Sequence, residues 1–169
     1  MVEWLLDHKA DLNARCDWDY TPMSAAVYSG PLEIIDYLLS RGADVHYGQL
    51  LHFAVIRDKP DTLEVVRRLV ERNAPLNEIG CINEWEYCWT RAPFGLGTPL
   101  HRAAEVGQTD VVKYLLEQGA DPLKLCSKEK TTPRYWAEWK NNTETAKVLK
   151  EAEGQKSSTR SLPSETSNL

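Results

Sequence analysis

The chain has 169 residues, 42% of them apolar, and a formal net charge of −5. That length admits one domain or a stacked array with a continuous core. The acidic balance argues against general nucleic-acid binding, which needs a basic stripe, and no run approaches the roughly 18 apolar residues of a membrane span. The opening Met1-Val2-Glu3-Trp4-Leu5-Leu6-Asp7 has neither the basic start nor the long apolar centre of a secretory signal. The four cysteines are widely spaced with no C-x-x-C pair, so neither a zinc site nor a disulfide framework is expected. The setting this implies is reducing and intracellular, with the cytoplasm first and the nucleus left open.

In chain order, Val2, Leu5 and Leu6 followed by Ala10-Asp11-Leu12-Asn13 read as one amphipathic helix and a tail. Lys9 stands where such a helix usually ends in Gly. The next unit opens at Thr21-Pro22, a hydroxyl N-cap followed by a proline that suits the first helical position. Gly30 marks the turn between its two helices. Ile34, Ile35, Leu38 and Leu39 form the buried stripe of the second, and Gly42-Ala43-Asp44 closes it. A more worn unit runs from Leu50-Leu51-His52-Phe53-Ala54-Val55 through Val65, Val66, Leu69 and Val70 to Asn73-Ala74-Pro75-Leu76-Asn77. Its helices are separated by extra turn-formers around Asp58-Lys59-Pro60-Asp61.

The clearest unit is Thr98 to Asp121. Thr98 caps, Pro99 starts, and Leu100, Ala103 and Ala104 give a small packing face. Gly107 ends the first helix in a backbone state that favours glycine. Val111, Val112, Leu115 and Leu116 make the second stripe, and Gly119 closes it. Gly119 follows Thr98 by 21 positions, and Gly42 follows Thr21 by the same 21. A last unit opens at Thr132-Pro133, turns at Asn141, and closes on Ala146 and Leu149.

Thr98-Pro99-Leu100-His101-Arg102-Ala103 is the T-P-L-H-x-A signature in full, and the chain resembles the ankyrin-repeat family over about residues 1–152. The resemblance implies an all-α ankyrin-repeat solenoid, with antiparallel helix pairs stacked and β-turn fingers projecting from one edge. On this frame residues 1–153 form the array. Residues 1–13 are a half repeat, and full repeats cover about 14–46, 47–77, 78–123 and 124–153. Residues 154–169, rich in Ser and Thr, are expected to be a disordered tail. The first helix that would cover Val2, Leu5 and Leu6 is missing. That predicts a fragment of a longer array or a start at an internal methionine, against a short protein with a frayed beginning. The resemblance also assigns His52 and His101 to bonding neighbouring loop backbone, not to metal or catalysis. The polar second helix, Thr143 to Glu151, acts as a terminal cap, with Trp136 filling the space beside it.

Two connectors depart from the frame. His46 to Gln49 leaves room for a tight bend at Tyr47-Gly48 but not for a finger. Asn77 to Thr98 is about thirteen residues longer than the connector before Thr21. By the logarithmic law of loop closure, that extra length costs only about 0.9 kcal/mol. The insertion carries Trp85, Tyr87, Trp89 and Phe94, interleaved with Glu84, Glu86 and Arg91. Long aromatic loops in compact repeats are more often functional than idle. Three readings stand for it: a partner-binding loop, a self-packed cover over the groove, or a redox pair of Cys81 and Cys88.

The function this implies is a non-catalytic protein–protein interaction module without a cofactor, monomeric or part of a longer array. Finger tips and the concave face of the first helices are where the family binds. Trp85, Tyr87, Trp89 and Arg91 in the insertion are the expected contact residues, with Asp17, Trp18 and Tyr20 in the first finger. No phosphate loop, paired ligands or nucleophile–base arrangement appears. The alternative is a spacer or regulatory fragment of a larger protein whose activity lies outside this chain.

Overall fold

The computed structural model describes residues 2–16, 19–80 and 96–160, the last two of these by backbone alone. Within them the chain is helical: α1 (Val2–Asp7), α2 (Pro22–Ser29), α3 (Leu32–Ser40), α4 (Leu50–Ile56), α5 (Thr62–Val70), α6 (Pro99–Val106), α7 (Thr109–Glu117), α8 (Pro133–Trp139) and α9 (Thr143–Arg160). The expected solenoid is present. Helices pair as α2/α3, α4/α5, α6/α7 and α8/α9, and the first helices stack in the order α2, α4, α6, α8.

Local chemistry sets the helix starts. Thr21 Oγ1 accepts from the Ser24 N–H at 3.1 Å while Ser24 Oγ accepts from the Thr21 N–H at 3.1 Å, a reciprocal box that satisfies two otherwise orphaned donors. Thr98 and His101 repeat this pairing on α6, with the His101 ring nitrogen Nδ1 in place of the hydroxyl. The worn unit lacks a side-chain cap, and Gln49 enters α4 in the left-handed region. The turns behave as the sequence suggests. Lys9, Gly42, Asn73, Gly107, Gly119 and Asn141 all take positive φ just after a helix end, and Asp19 does so in the first finger.

One apolar core runs the length of the stack, from Met23, Val27 and Ile35 through Leu50, Val66 and Leu69 to Leu100, Leu115 and Leu149. Val2 and Leu6 pack partly against it, although α1 buries none of its residues fully. Trp136 and Cys126 form a separate buried pair beside the last finger. Trp136 is 0% exposed and so fills the space expected of it. Asparagines stitch the tails together. Asn13 Oδ1 accepts from the Asp44 N–H at 2.8 Å, and Asn77 Oδ1 accepts from the Asp121 N–H at 2.7 Å.

The shortened connector at Tyr47-Gly48 is a tight bend, with Gly48 at φ +77. A Cβ on Gly48 would overlap Thr21 Oγ1 and Ser24 Oγ, so closeness as well as backbone freedom requires glycine. The array's end differs from expectation. The last helix does not stop near Glu151, and the expected tail boundary at Gly154 lies inside α9, which continues to Arg160. Tertiary and local bonds offset the low helix propensity there. Arg134 Nε holds the Glu153 carboxylate at 2.7 Å, Lys156 Nζ holds Asp121 at 2.8 Å, and Ser157 and Ser158 bond back to Glu153 and Gly154 carbonyls. Residues 161–169 lie outside the described residues.

Candidate partner-recognition surface

The first-helix face is built on three bonds that reach from one repeat to the connector that leads into the next. Ser24 Oγ donates to the Gly48 carbonyl at 2.7 Å, His52 Nε2 to the Gly97 carbonyl at 3.1 Å, and His101 Nε2 to the Thr131 carbonyl at 3.1 Å. His101 Nδ1 accepts from the Thr98 N–H, so its ring proton sits on Nε2, facing Thr131. Burial pushes both histidines down to about 4, which keeps them neutral and committed to these contacts. The two histidines therefore do what the resemblance implies.

A buried arginine adds a bond that sequence reading missed. Arg57 is 1% exposed, in the turn after α4. Its guanidinium donates to the carbonyls of Val27 at 2.5 Å and Gly30 at 3.2 Å, and to both oxygens of Asp61 at 2.7 and 2.9 Å. Lys59 Nζ covers the Ser29 carbonyl at 2.7 Å. The extra turn between α4 and α5 thus clamps the end of α2. Asn142 has the matching task at the end of α6, donating to Ala104 and Glu105 carbonyls at 2.9 Å each.

On this frame the first-helix face presents Tyr28, Ile56, Val106, Tyr135 and Trp139 as exposed large side chains, with Tyr20 at its edge. Of the expected contact residues, only Tyr20 falls among the described ones. Asp17, Trp18, Trp85, Tyr87, Trp89 and Arg91 lie outside them, as do Cys81 and Cys88. Tyr20 lies edge-on to Phe53 of the next repeat, with ring centroids 5.2 Å apart, and remains 36% exposed. Burial, and then the neighbouring Tyr28 and Cys16, raise its phenol above the ordinary value, so it stays a hydrogen-bond donor.

Charge is distributed unevenly along the face. The segments of α2 and α4 contain no Asp, Glu, Lys or Arg. On α6 and α8 the charges are paired, Arg102 with Glu105 at 2.8 Å and Arg134 with Glu138 at 2.8 Å and Glu153 at 2.7 Å. The ends of the inserted segment meet at a neck. The Gly80 N–H donates to the Gly97 carbonyl at 3.1 Å, the same oxygen that His52 holds. A Cβ on Gly97 would press on His101 Cβ at 2.6 Å. Leu96 then pairs with Ser127, its N–H on Ser127 Oγ at 2.9 Å and its carbonyl on the Ser127 N–H at 2.8 Å.

On the second-helix side, an open groove of about 600 Å³ runs between α7 and the overlong α9, lined by Leu116, Pro122, Val148 and Ala152 with Lys113 and Lys156 at its rim. Among the described residues there is no group of three or more His, Cys, Asp or Glu that could hold a metal ion. No helix among them is long and apolar enough to cross a membrane.

Two family models for ankyrin repeats match the chain, one covering residues 51–160 with three copies and the other residues 1–39. Among curated proteins the chain is similar to alpha-latrocrustotoxin-Lt1a of Latrodectus tredecimguttatus, 35% identical over 126 residues, which is 72% of this chain and 8% of that protein. It is similar to ankyrin repeat protein nuc-2 of Neurospora crassa, 29% identical over 161 residues, 94% of this chain and 14% of that protein. A mouse protein, fem-1 homolog A-like, is 29% identical over 114 residues, 66% of this chain and 15% of that protein. The chain spans a small part of each of these relatives. Ankyrin repeats are in general protein–protein interaction modules and typically non-catalytic. On the repeat signature, the stacked helix pairs and the family match, this chain belongs to the ankyrin-repeat family.

Proposed function

We propose that this chain is a non-catalytic recognition module that binds another protein through its first-helix face, its finger tips and the inserted loop 78–97. The observation that carries the reading is the row of exposed aromatic and aliphatic side chains on a frame locked by buried hydrogen bonds. A rigid array loses little ordering entropy on association, so side chains already fixed in place convert contact into affinity. Contact falls to Trp85, Tyr87, Trp89 and Arg91 in the insertion, on the strength of its aromatic content, and to Asp17, Trp18 and Tyr20 in the first finger. The partner is a protein and not nucleic acid or membrane, and no cofactor takes part. The module acts as a monomer or as a stretch of a longer array, in an intracellular setting that the wide spacing of its cysteines suits.

A second reading is supported by coverage. The chain spans 8%, 14% and 15% of the relatives named above, so it also fits a spacer or regulatory segment whose activity lies elsewhere. Photo-crosslinking separates the two. A benzophenone side chain placed at Tyr28 or Trp85 should trap one discrete partner, whereas the same group at Lys113 on the second-helix side should not. Equal trapping at all three positions, or none at any, favours the spacer.

A further inference from the structure

The first two full repeats build a face without formal charge. Residues 20–31 and 45–56 contain no Asp, Glu, Lys or Arg, although 27% of the chain is charged. Arg57 and Lys59, which follow α4, are directed at the Val27, Ser29 and Gly30 carbonyls, and Arg15 lies over the Tyr47 ring and pairs with Asp19 at 3.5 Å. Three aromatic rings line up on this face. Phe53 of α4 is central, with Tyr20 edge-on at 5.2 Å and 87° on one side and Tyr28 at 6.2 Å and 72° on the other. Tyr20 precedes the cap of α2 and Tyr28 lies in its last turn, so the row follows that helix for about 12 Å. Tyr28 is 49% exposed, and neither tyrosine hydroxyl has a hydrogen-bond partner among the described residues.

We infer that this row, Tyr20–Phe53–Tyr28, receives an uncharged, proline-rich segment of a partner protein in polyproline II conformation. The inference deepens the recognition reading above and rests on it. Three features select that occupant. A charged segment would lose hydration here with no opposite charge to replace it. An α-helix spends its own carbonyls on internal bonds, whereas a polyproline II strand has none and leaves its carbonyls open to the two phenol donors. Each perpendicular ring junction offers a corner between aromatic faces, the kind of surface on which rigid pyrrolidine rings dock with little entropy to lose. At about 3.1 Å per residue, four residues of such a strand match the length of the row.

The test uses the whole chain and three blocked peptides of equal length: Pro-Pro-Leu repeats, the same repeats with Glu in place of Leu, and an amphipathic helix-former. Calorimetric titration and amide shift mapping are read for the wild type, Tyr28→Ala, Tyr28→Phe and, as a control on the second-helix side, Lys113→Ala. The expected result is saturable binding of the neutral proline peptide with shifts confined to α2 and α4. That binding should be about tenfold weaker in Tyr28→Ala, partly weakened in Tyr28→Phe and unchanged in Lys113→Ala. Tyr28 is exposed, and an unchanged melting midpoint confirms that each variant folds. Silence of the proline peptide up to about 1 mM overturns the inference, as does binding that ignores Tyr28. Saturation by the helical peptide instead, lost in Tyr28→Ala, overturns the polyproline assignment while leaving the recognition face standing.

Discussion

His101 and Thr131, thirty positions apart, are joined by a 3.1 Å hydrogen bond from the ring Nε2 to the carbonyl oxygen, while Nδ1 of the same ring, free of a proton, accepts the Thr98 N–H. A proton on Nδ1 would turn the acceptor of the Thr98 N–H into a competing donor and break the helix-start box of α6.

Acid should therefore loosen the array before its carboxylates are titrated. In the unfolded chain each imidazole titrates near 6.5, and in the fold His52 and His101 are held at about 4 by burial. Between those values the unfolded state carries more protons, so stability is full above pH 6.5 and falls as pH drops toward 4. The slope is at most about 1.4 kcal/mol per pH unit for each histidine. Urea midpoints should hold level from pH 8 to 7 and then decline. His101→Gln should lower stability at pH 7 but flatten that decline, and a midpoint unmoved down to pH 4.5 contradicts the assignment.

Arg57 should be costly to remove in either direction. Arg57→Met leaves the Val27 carbonyl without its donor, the Gly30 carbonyl with Lys59 alone, and Asp61 without its partner. Asp61→Ala leaves a fully buried guanidinium uncompensated. Each change is expected to cost on the order of 3 kcal/mol, and the double variant less than the sum of the two. Chemical denaturation of the four-member cycle measures this, and strict additivity would show that the pair does not act as a unit.

Two glycines with left-handed backbones should respond differently to alanine. At Gly119 a Cβ meets nothing within 4 Å, so Gly119→Ala pays only the conformational term, about 1 kcal/mol. At Gly48 the same atom strikes Thr21 Oγ1 and Ser24 Oγ, breaking the cap of α2 as well, and about 2–3 kcal/mol is expected. Thermal midpoints of the two variants, measured side by side, check the order; equal losses would deny the close approach at Gly48.

Gly154 offers a gain instead. It lies inside α9 with open space around the missing Cβ. Gly154→Ala should raise stability by up to about 1 kcal/mol and strengthen the helical circular dichroism signal. Were residues 154–160 not helical, the substitution would change neither.

How far the fold could be read from the chain depended on the range of the signals. Thr98, Pro99, Gly107 and Gly119 each act within a few residues, so cap, start and both turns of one repeat were legible, and the spacing carried them to Thr21 and Gly42. Asn141 was legible in the same way, because a positive φ is a local demand. Arg57 was not. In sequence it is one more polar residue before Asp58-Lys59-Pro60, and its burial depends on carbonyls that the preceding repeat delivers from thirty and twenty-seven positions away. The end of α9 was missed for the same reason, since Gly154 and the serines argue locally for a tail, while Arg134 and Asp121 hold the helix from outside it. Of the candidate site, Tyr20 was picked out as a finger-tip aromatic, and the structure turns it into the edge partner of Phe53, a contact that required knowing which repeat comes next.

The neck at Gly80 and Gly97 has a consequence for how this array changes over time. Because the Gly97 carbonyl takes both the Gly80 N–H and the His52 ring, the two ends of the insertion are fixed to each other and to α4. A change in the number of residues between those glycines can therefore be absorbed at the junction, with α4 and α6 keeping their registry.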